Sequence, residues 1–163
     1  MTRNHINREA LRHHARALAG AIAAAVLLAM PAGATERVPS AMAQEVLIKT
    51  SLLSLNDAIV SGNFTVLHTK LAKPFREQFN PDRLKQAFQN FADEKIDMAA
   101  ISAAPPVATE DAQIDDRGAL LLRGRFEVDR RRVVYELDFL PSDGEWKPLG
   151  LHVSVKPATA KGM

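Results

Sequence analysis

Apolar and polar residues alternate with a period of two along residues 120–128. Leu120, Leu122, Gly124, Phe126 and Val128 share one side, and Leu121, Arg123, Arg125 and Glu127 share the other. The alternation resumes at Val133, with Tyr135, Leu137 and Phe139 set against Val134, Glu136, Asp138 and Leu140. Two strands are predicted, each burying one face. Asp129-Arg130-Arg131-Arg132 reads as the turn between them, which sets Val128 against Val133, Phe126 against Tyr135, Gly124 against Leu137, and Leu122 against Phe139. On the other face Arg125 meets Glu136 and Arg123 meets Asp138. A one-residue slip would turn an apolar row to water, so burial of one face holds the alignment.

Upstream, Asp116-Arg117-Gly118 predicts a three-residue hairpin loop with Gly118 in the left-handed conformation. That loop places Ile114 opposite Leu120, Ala112 opposite Leu122 and Asp111 opposite Arg123, so Arg123 is expected between Asp111 and Asp138. Downstream, Pro141-Ser142-Asp143-Gly144 is a turn cluster, followed by a last strand over residues 145–156. The phase of this strand is open. Trp146, Pro148, Gly150 and His152 share one side, Leu149, Leu151, Val153 and Val155 the other, and an irregularity near Pro148 or Gly150 would change which set points inward.

Helical spacing precedes the sheet. Ile48, Leu52, Leu55 and Ile59 mark a first helix over residues 45–60, closed by Gly62. Phe64, Leu67 and Leu71 mark a second, interrupted by Pro74. Asn80-Pro81 caps a third, whose buried stripe is Leu84, Phe88 and Phe91. Residues 96–101 add one more turn, and Pro105-Pro106 closes the helical half, with the first strand starting near Val107. The fold class expected is α+β: three N-terminal helices packed on a curved antiparallel meander of about four strands, as one domain over residues 45–156. A flexible segment over 35–44 and a disordered tail over 157–163 flank it.

The leader changes the charge balance. A basic, polar stretch over residues 1–17 precedes an alanine-rich apolar run over 18–30, short for spanning a bilayer and suited to the apolar region of a secretory signal peptide, with an uncleaved membrane anchor as the competing reading. Cleavage is expected after Ala34 in Ala32-Gly33-Ala34, with Ala41-Met42-Ala43 a second site. Export to the periplasm or the extracellular space follows, with only a transient membrane contact through the signal peptide. No cysteine follows the apolar run for lipid attachment, and no two of its arginines are adjacent as a twin-arginine signal requires. The 163 residues carry a net charge of +2, and the leader holds Arg3, Arg8, Arg12 and Arg16 against Glu9. Its loss removes three net positive charges and leaves −1, which takes away the basic stripe on which nucleic-acid binding would rest. Absence of cysteine excludes disulfides, thiolate nucleophiles and cysteine metal sites.

Three helices followed by a meander, with Gly144-Glu145-Trp146-Lys147 opening the last strand, resemble the nuclear transport factor 2-like, or cystatin-like, superfamily. Within it, Leu55-Asn56-Asp57-Ala58-Ile59 and the break Ser61-Gly62-Asn63-Phe64 resemble small exported bacterial members without an assigned activity. The resemblance covers roughly residues 45–155. It implies a cone-like fold that hosts enzymes, binding modules and scaffolds alike, so fold alone does not decide function. It also implies dimerisation through the open sheet face, here through Leu121, Val134 and Leu140, joined by Leu149, Leu151 and Val153 if the last strand keeps that phase.

Candidate chemistry is sparse. A non-catalytic domain binding a partner protein or a small apolar ligand is the first reading, with Tyr135, Trp146 and His152 as the ligand-binding residues. A small isomerase or hydrolase is the second, with His152 as acid or base beside Tyr135 and a carboxylate such as Asp57, because that chemistry needs a histidine within reach of an orienting partner. The simpler account makes Asp57 an exposed helix residue, Tyr135 and Trp146 core aromatics, and His68 a half-buried helix residue. Third, Arg130, Arg131 and Arg132 can grip an anion, although a solvated cluster in a hairpin turn is commoner. No motif for a metal or nucleotide cofactor is expected, since one histidine on each of two elements does not build a zinc site.

Overall fold

The structure is a computed structural model, which describes residues 37–128, 130–142 and 144–158. Among the described residues five helices precede the sheet: α1 (Ala41–Ser61), α2 (Thr65–Lys70), α3 (Lys73–Gln78), α4 (Pro81–Ala87) and α5 (Gln89–Asp93), then a 3-10 turn (Ala99–Ala103). The strands are β1 (Val107–Ala108), β2 (Gln113–Ile114), β3 (Leu120–Val128), β4 (Arg131–Ser142) and β5 (Glu145–Pro157). All pairings are antiparallel. The order is β1-β3-β4-β5, and β2 joins β3 beside β1. The α+β class with helices ahead of an antiparallel sheet holds. The leader and its cleavage site after Ala34 lie outside the described residues.

Helix boundaries differ from expectation for local reasons. Ser40 caps α1 by accepting a hydrogen bond from Ala43 N at 3.3 Å, so the helix begins four residues ahead of Glu45, within the segment expected to be flexible. Ala41-Met42-Ala43 therefore forms its first turn. Gly62 closes the helix at φ +67°, as expected. Pro74 stands in the first turn of α3, where a missing N–H costs nothing, so the residue read as an interruption opens a further helix. Asn80 caps α4 through Arg83 N at 2.9 Å. The expected third helix breaks at Phe88, whose ring stacks on Phe64 and meets Phe91 edge on.

The inner sheet face carries the expected residues. Leu120, Leu122, Phe126, Val133, Tyr135, Leu137 and Phe139 are buried in one core with Ile48, Leu52, Leu55 and Ile59 of α1. Their partners differ. Leu122 faces Leu137, Gly124 faces Tyr135 and Phe126 faces Val133, a shift of two residues from the expected register. The cause is the turn. β3 runs to Val128 and β4 starts at Arg131, so two residues connect them, and Arg130 takes a left-handed φ of +62°. A shift of two keeps every side chain on its face.

Near the other end of β3, Ile114 pairs with Leu120 and Gly118 adopts φ +77°, as expected. Upstream the pairing jumps: Gln113 faces Leu121 but Ala108 faces Gly124, so residues 109–112 hold two more residues than the β3 stretch they pass. This bulge divides the expected first strand into β1 and β2. Arg123 gains its two carboxylates from β4 alone, Asp138 at 2.6 Å and Glu136 at 3.9 Å, where Asp111 and Asp138 were expected.

A second bulge settles the last strand. Phe139 pairs with Pro148 and Asp138 with Gly150, leaving Leu149 as the extra residue. Pro148 thus points inward on one side of the bulge, and Leu151, Val153 and Val155 point inward on the other. Proline has no N–H for the ladder. Its carbonyl accepts instead from Ala72 N at 2.7 Å, in the link between α2 and α3 along the edge of β5. Strand β5 ends at Pro157, and Ala158 N donates to Arg130 O at 2.7 Å at the start of the expected tail.

Candidate functional site

The β4–β5 hairpin, α1 and α2 frame a half-open hollow of about 610 Å³. Its apolar wall is made by Val46 and Leu47 of α1, Leu67 of α2, Phe139 of β4, and Trp146 and Pro148 of β5. Thr50, Ser51 and Ser54 add a row of hydroxyls, and Lys70, Glu145 and Lys147 are its charged groups. Such a volume suits a small molecule, and an apolar lining with few polar groups is the usual make-up of a ligand site.

Each wall follows from local structure. Val46, Thr50 and Ser54 recur every four residues on α1, and Leu47 and Ser51 repeat that spacing, so together they form a flank beside the buried row of Ile48, Leu52 and Leu55. On the sheet side, the bulge at Leu149 turns Pro148 inward beside Phe139. Lys70 Nζ donates to Ser54 Oγ at 2.9 Å, joining α2 to α1 at the rim. A neighbouring hollow of about 540 Å³ shares Val46, Leu47 and Trp146 and extends past Met42, whose side chain is largely exposed. Trp146 stands between the two.

Of the three residues expected to bind ligand, only Trp146 lines this site. Tyr135 is buried on the inner sheet face, and burial pushes its phenol up to about 12, away from any role as a base. His152 is exposed on the opposite face, across from Glu136, and it lines a separate cleft with Asp138 beside Phe75 and Phe79. Asp57 is exposed on α1 and lines a third hollow near Asn63. The expected acid–base set of His152, Tyr135 and Asp57 is therefore not assembled. Tyr135 and His152 lie on opposite faces because residues on β4 and β5 alternate and the two are out of phase. His68 is half-buried, its Nε2 lying 3.3 Å from Arg76 O.

The open sheet face is a lattice of ion pairs. Arg123 holds Asp138 and Glu136, while Glu127 accepts from Arg125 at 3.1 Å and Arg132 at 2.7 Å. Leu121, Val134 and Leu140 lie half-buried among them, whereas Leu151 and Val153 face the core, which shrinks the expected apolar patch. Arg130 and Arg131 line a hollow of about 320 Å³ with Lys156, Glu94 and Ile96, and Arg132 is tied to Glu127.

Compared with protein-family models, with curated proteins and with solved structures, the chain matches none. Among the described residues no group of three or more acidic or histidine side chains is placed to hold a metal ion, and no helix is long and apolar enough to cross a membrane.

The sequence reading missed Val46, Leu47, Thr50, Ser51, Ser54, Lys70 and Pro148. The signal available was the spacing of small hydroxyl residues four apart on α1, next to the leucine row. Alone, such a flank reads as a solvated helix face.

Proposed function

We propose that this is a small exported binding domain of the nuclear transport factor 2-like, cone type, which holds a largely apolar small molecule between α1, α2 and the β4–β5 hairpin. The observation that carries the reading is the hollow of about 610 Å³ walled by Leu47, Leu67, Phe139 and Trp146. Helices preceding an antiparallel meander, and the bulge that bends it at Leu149, support the fold type. The basic and then apolar leader supports export. Secretion from a bacterial host followed by N-terminal sequencing tests it, with a mature chain starting at Thr35 as the expected result.

Trp146 is the chain's one tryptophan, so intrinsic emission reports on this hollow and the neighbouring one, and Thr50 lines the first but not the second. Titration with 1-decanol is expected to shift that emission saturably. Filling the space with Thr50→Phe removes the shift. No response in the native chain, or an undiminished response in the filled variant, defeats the reading.

Anion binding at the β3–β4 turn is a second reading, favoured by Arg130, Arg131 and Lys156 lining one hollow. Arg130→Ser with Arg131→Ser is expected to elute from heparin at lower salt, and unchanged retention removes this reading.

A further inference from the structure

The polar rim of the apolar hollow is asymmetric in charge chemistry. Lys70 Nζ has a hydroxyl partner, Ser54 Oγ at 2.9 Å. Two other helix lysines have carboxylates, Lys49 with Glu45 at 2.8 Å and Lys73 with Glu77 at 3.8 Å. An ammonium group carries three donors, and the contact with Ser54 uses one. Because Ser54 accepts through its oxygen, its own hydroxyl hydrogen remains available to donate. Lys70 and Ser54 therefore form a pair of donors at the mouth of a space whose other wall is Leu47, Leu67, Phe139 and Trp146.

From this juxtaposition we propose that the hollow selects an amphipathic monocarboxylate, with its hydrocarbon body against Trp146 and Phe139 and its carboxylate received by Lys70 and Ser54. The proposal rests on the pocket reading above and adds the chemical class of the ligand. Hydrogen bonds between an ammonium and a carboxylate are stronger than neutral ones, and a rim shielded on one side by apolar groups weakens the competition from water. Glu145 and Lys147 also line the hollow, so a carboxylate must be favoured over a cation despite Glu145. Asp57 lines the adjoining hollow that Lys70 borders as well.

The test compares decanoate, 1-decanol and decyltrimethylammonium, each below its micelle threshold, by Trp146 emission and by calorimetry on the full mature chain. Decanoate is expected to bind about tenfold or more tightly than the alcohol, the scale of one charge-assisted contact. Lys70→Met and Lys70→Gln are expected to weaken decanoate binding about tenfold more than alcohol binding, which removes that preference, and Lys70→Arg to restore it. Because Lys70 is exposed, these variants are expected to fold, with circular dichroism as the check. Equal binding of decanoate and the alcohol, or tighter binding of the trimethylammonium probe, overturns the carboxylate proposal while leaving the pocket in place. If none of the three probes is bound, the pocket reading itself fails.

Discussion

The ring of Tyr135 on β4 lies across Gly124 on β3, where a side chain would otherwise stand. A Cβ built on Gly124 would meet Tyr135 Oη, come within 2.6 Å of Tyr135 Cζ and lie 2.6 Å from the Val107 carbonyl oxygen. Glycine is required here by crowding from both neighbouring strands, and the aromatic ring covers the gap that glycine leaves in the inner row. Gly124→Ala is therefore expected to destabilise the fold by about 1–3 kcal/mol, the usual cost of overpacking. Combined with Tyr135→Leu, it is expected to cost less than the sum of the two single changes in urea unfolding. Strict additivity would show that the ring is not what excludes the methyl group.

Tyr135 is the chain's one tyrosine, so its ionisation can be followed by tyrosinate absorbance without interference. Burial raises its pKa from 10.0 to about 12. The folded chain thus holds the phenolic proton more tightly than the unfolded chain. Its contribution is fully present below pH 10 and is lost as pH rises toward 12. Tyrosinate absorbance is expected to appear together with loss of near-ultraviolet dichroism. Ionisation near pH 10 with the fold intact would contradict the buried placement.

Asn56 is buried on α1 and satisfied at both ends. Its Nδ2 donates to Asp97 Oδ1 at 3.0 Å, and its Oδ1 accepts from Met98 N at 2.8 Å. Asn56→Ala strands the Met98 N–H, at an expected cost of about 1–3 kcal/mol. Faster amide exchange in the 3-10 turn is the accompanying sign. Asp57→Ala, on the exposed neighbour, is expected to stay within about 0.5 kcal/mol of the parent and to keep binding at the hollow. Equal losses in both variants would contradict this division.

The β2–β3 loop is organised by one carboxylate. Asp115 Oδ1 accepts from Arg117 N and Ala119 N, both at 2.9 Å, and Oδ2 accepts from the Arg117 guanidinium at 2.8 Å. The hydrogen bond from Ala119 and then that from Arg117 hold the Asp115 pKa below its usual 3.8. A lowered folded value means the stabilisation is present above pH 3.8 and fades as pH falls below it. Asp115→Asn is expected to lower the urea midpoint at neutral pH, with the gap from the parent closing in acid. A gap independent of pH would assign the loss to packing.

How much was legible follows from these residues. Alternation along β3 and β4 assigned Phe126, Tyr135, Leu137 and Phe139 to the core, because a period of two carries facing within a single strand. Facing survives any shift by an even number of residues, so the same alternation was blind to whether Tyr135 meets Phe126 or Gly124. Caps at Asn80 and Gly62 and the left-handed Gly118 were readable for a similar reason, since each acts within a few residues of itself.

What the sequence determined alone is therefore local: which residues turn inward, where helices are capped, and the order of helices before strands. Tertiary structure decided what depends on distant partners. The two-residue connection through Arg130 selected the β3–β4 register, and the bulge at Leu149, beside the bond from Ala72 to Pro148, reversed the phase of β5. It also brought Lys70, Ser54 and Trp146 to one hollow while sending Tyr135 and His152 to opposite faces. Side-chain periodicity is a property of one segment, whereas a site belongs to several, and their meeting is settled by packing.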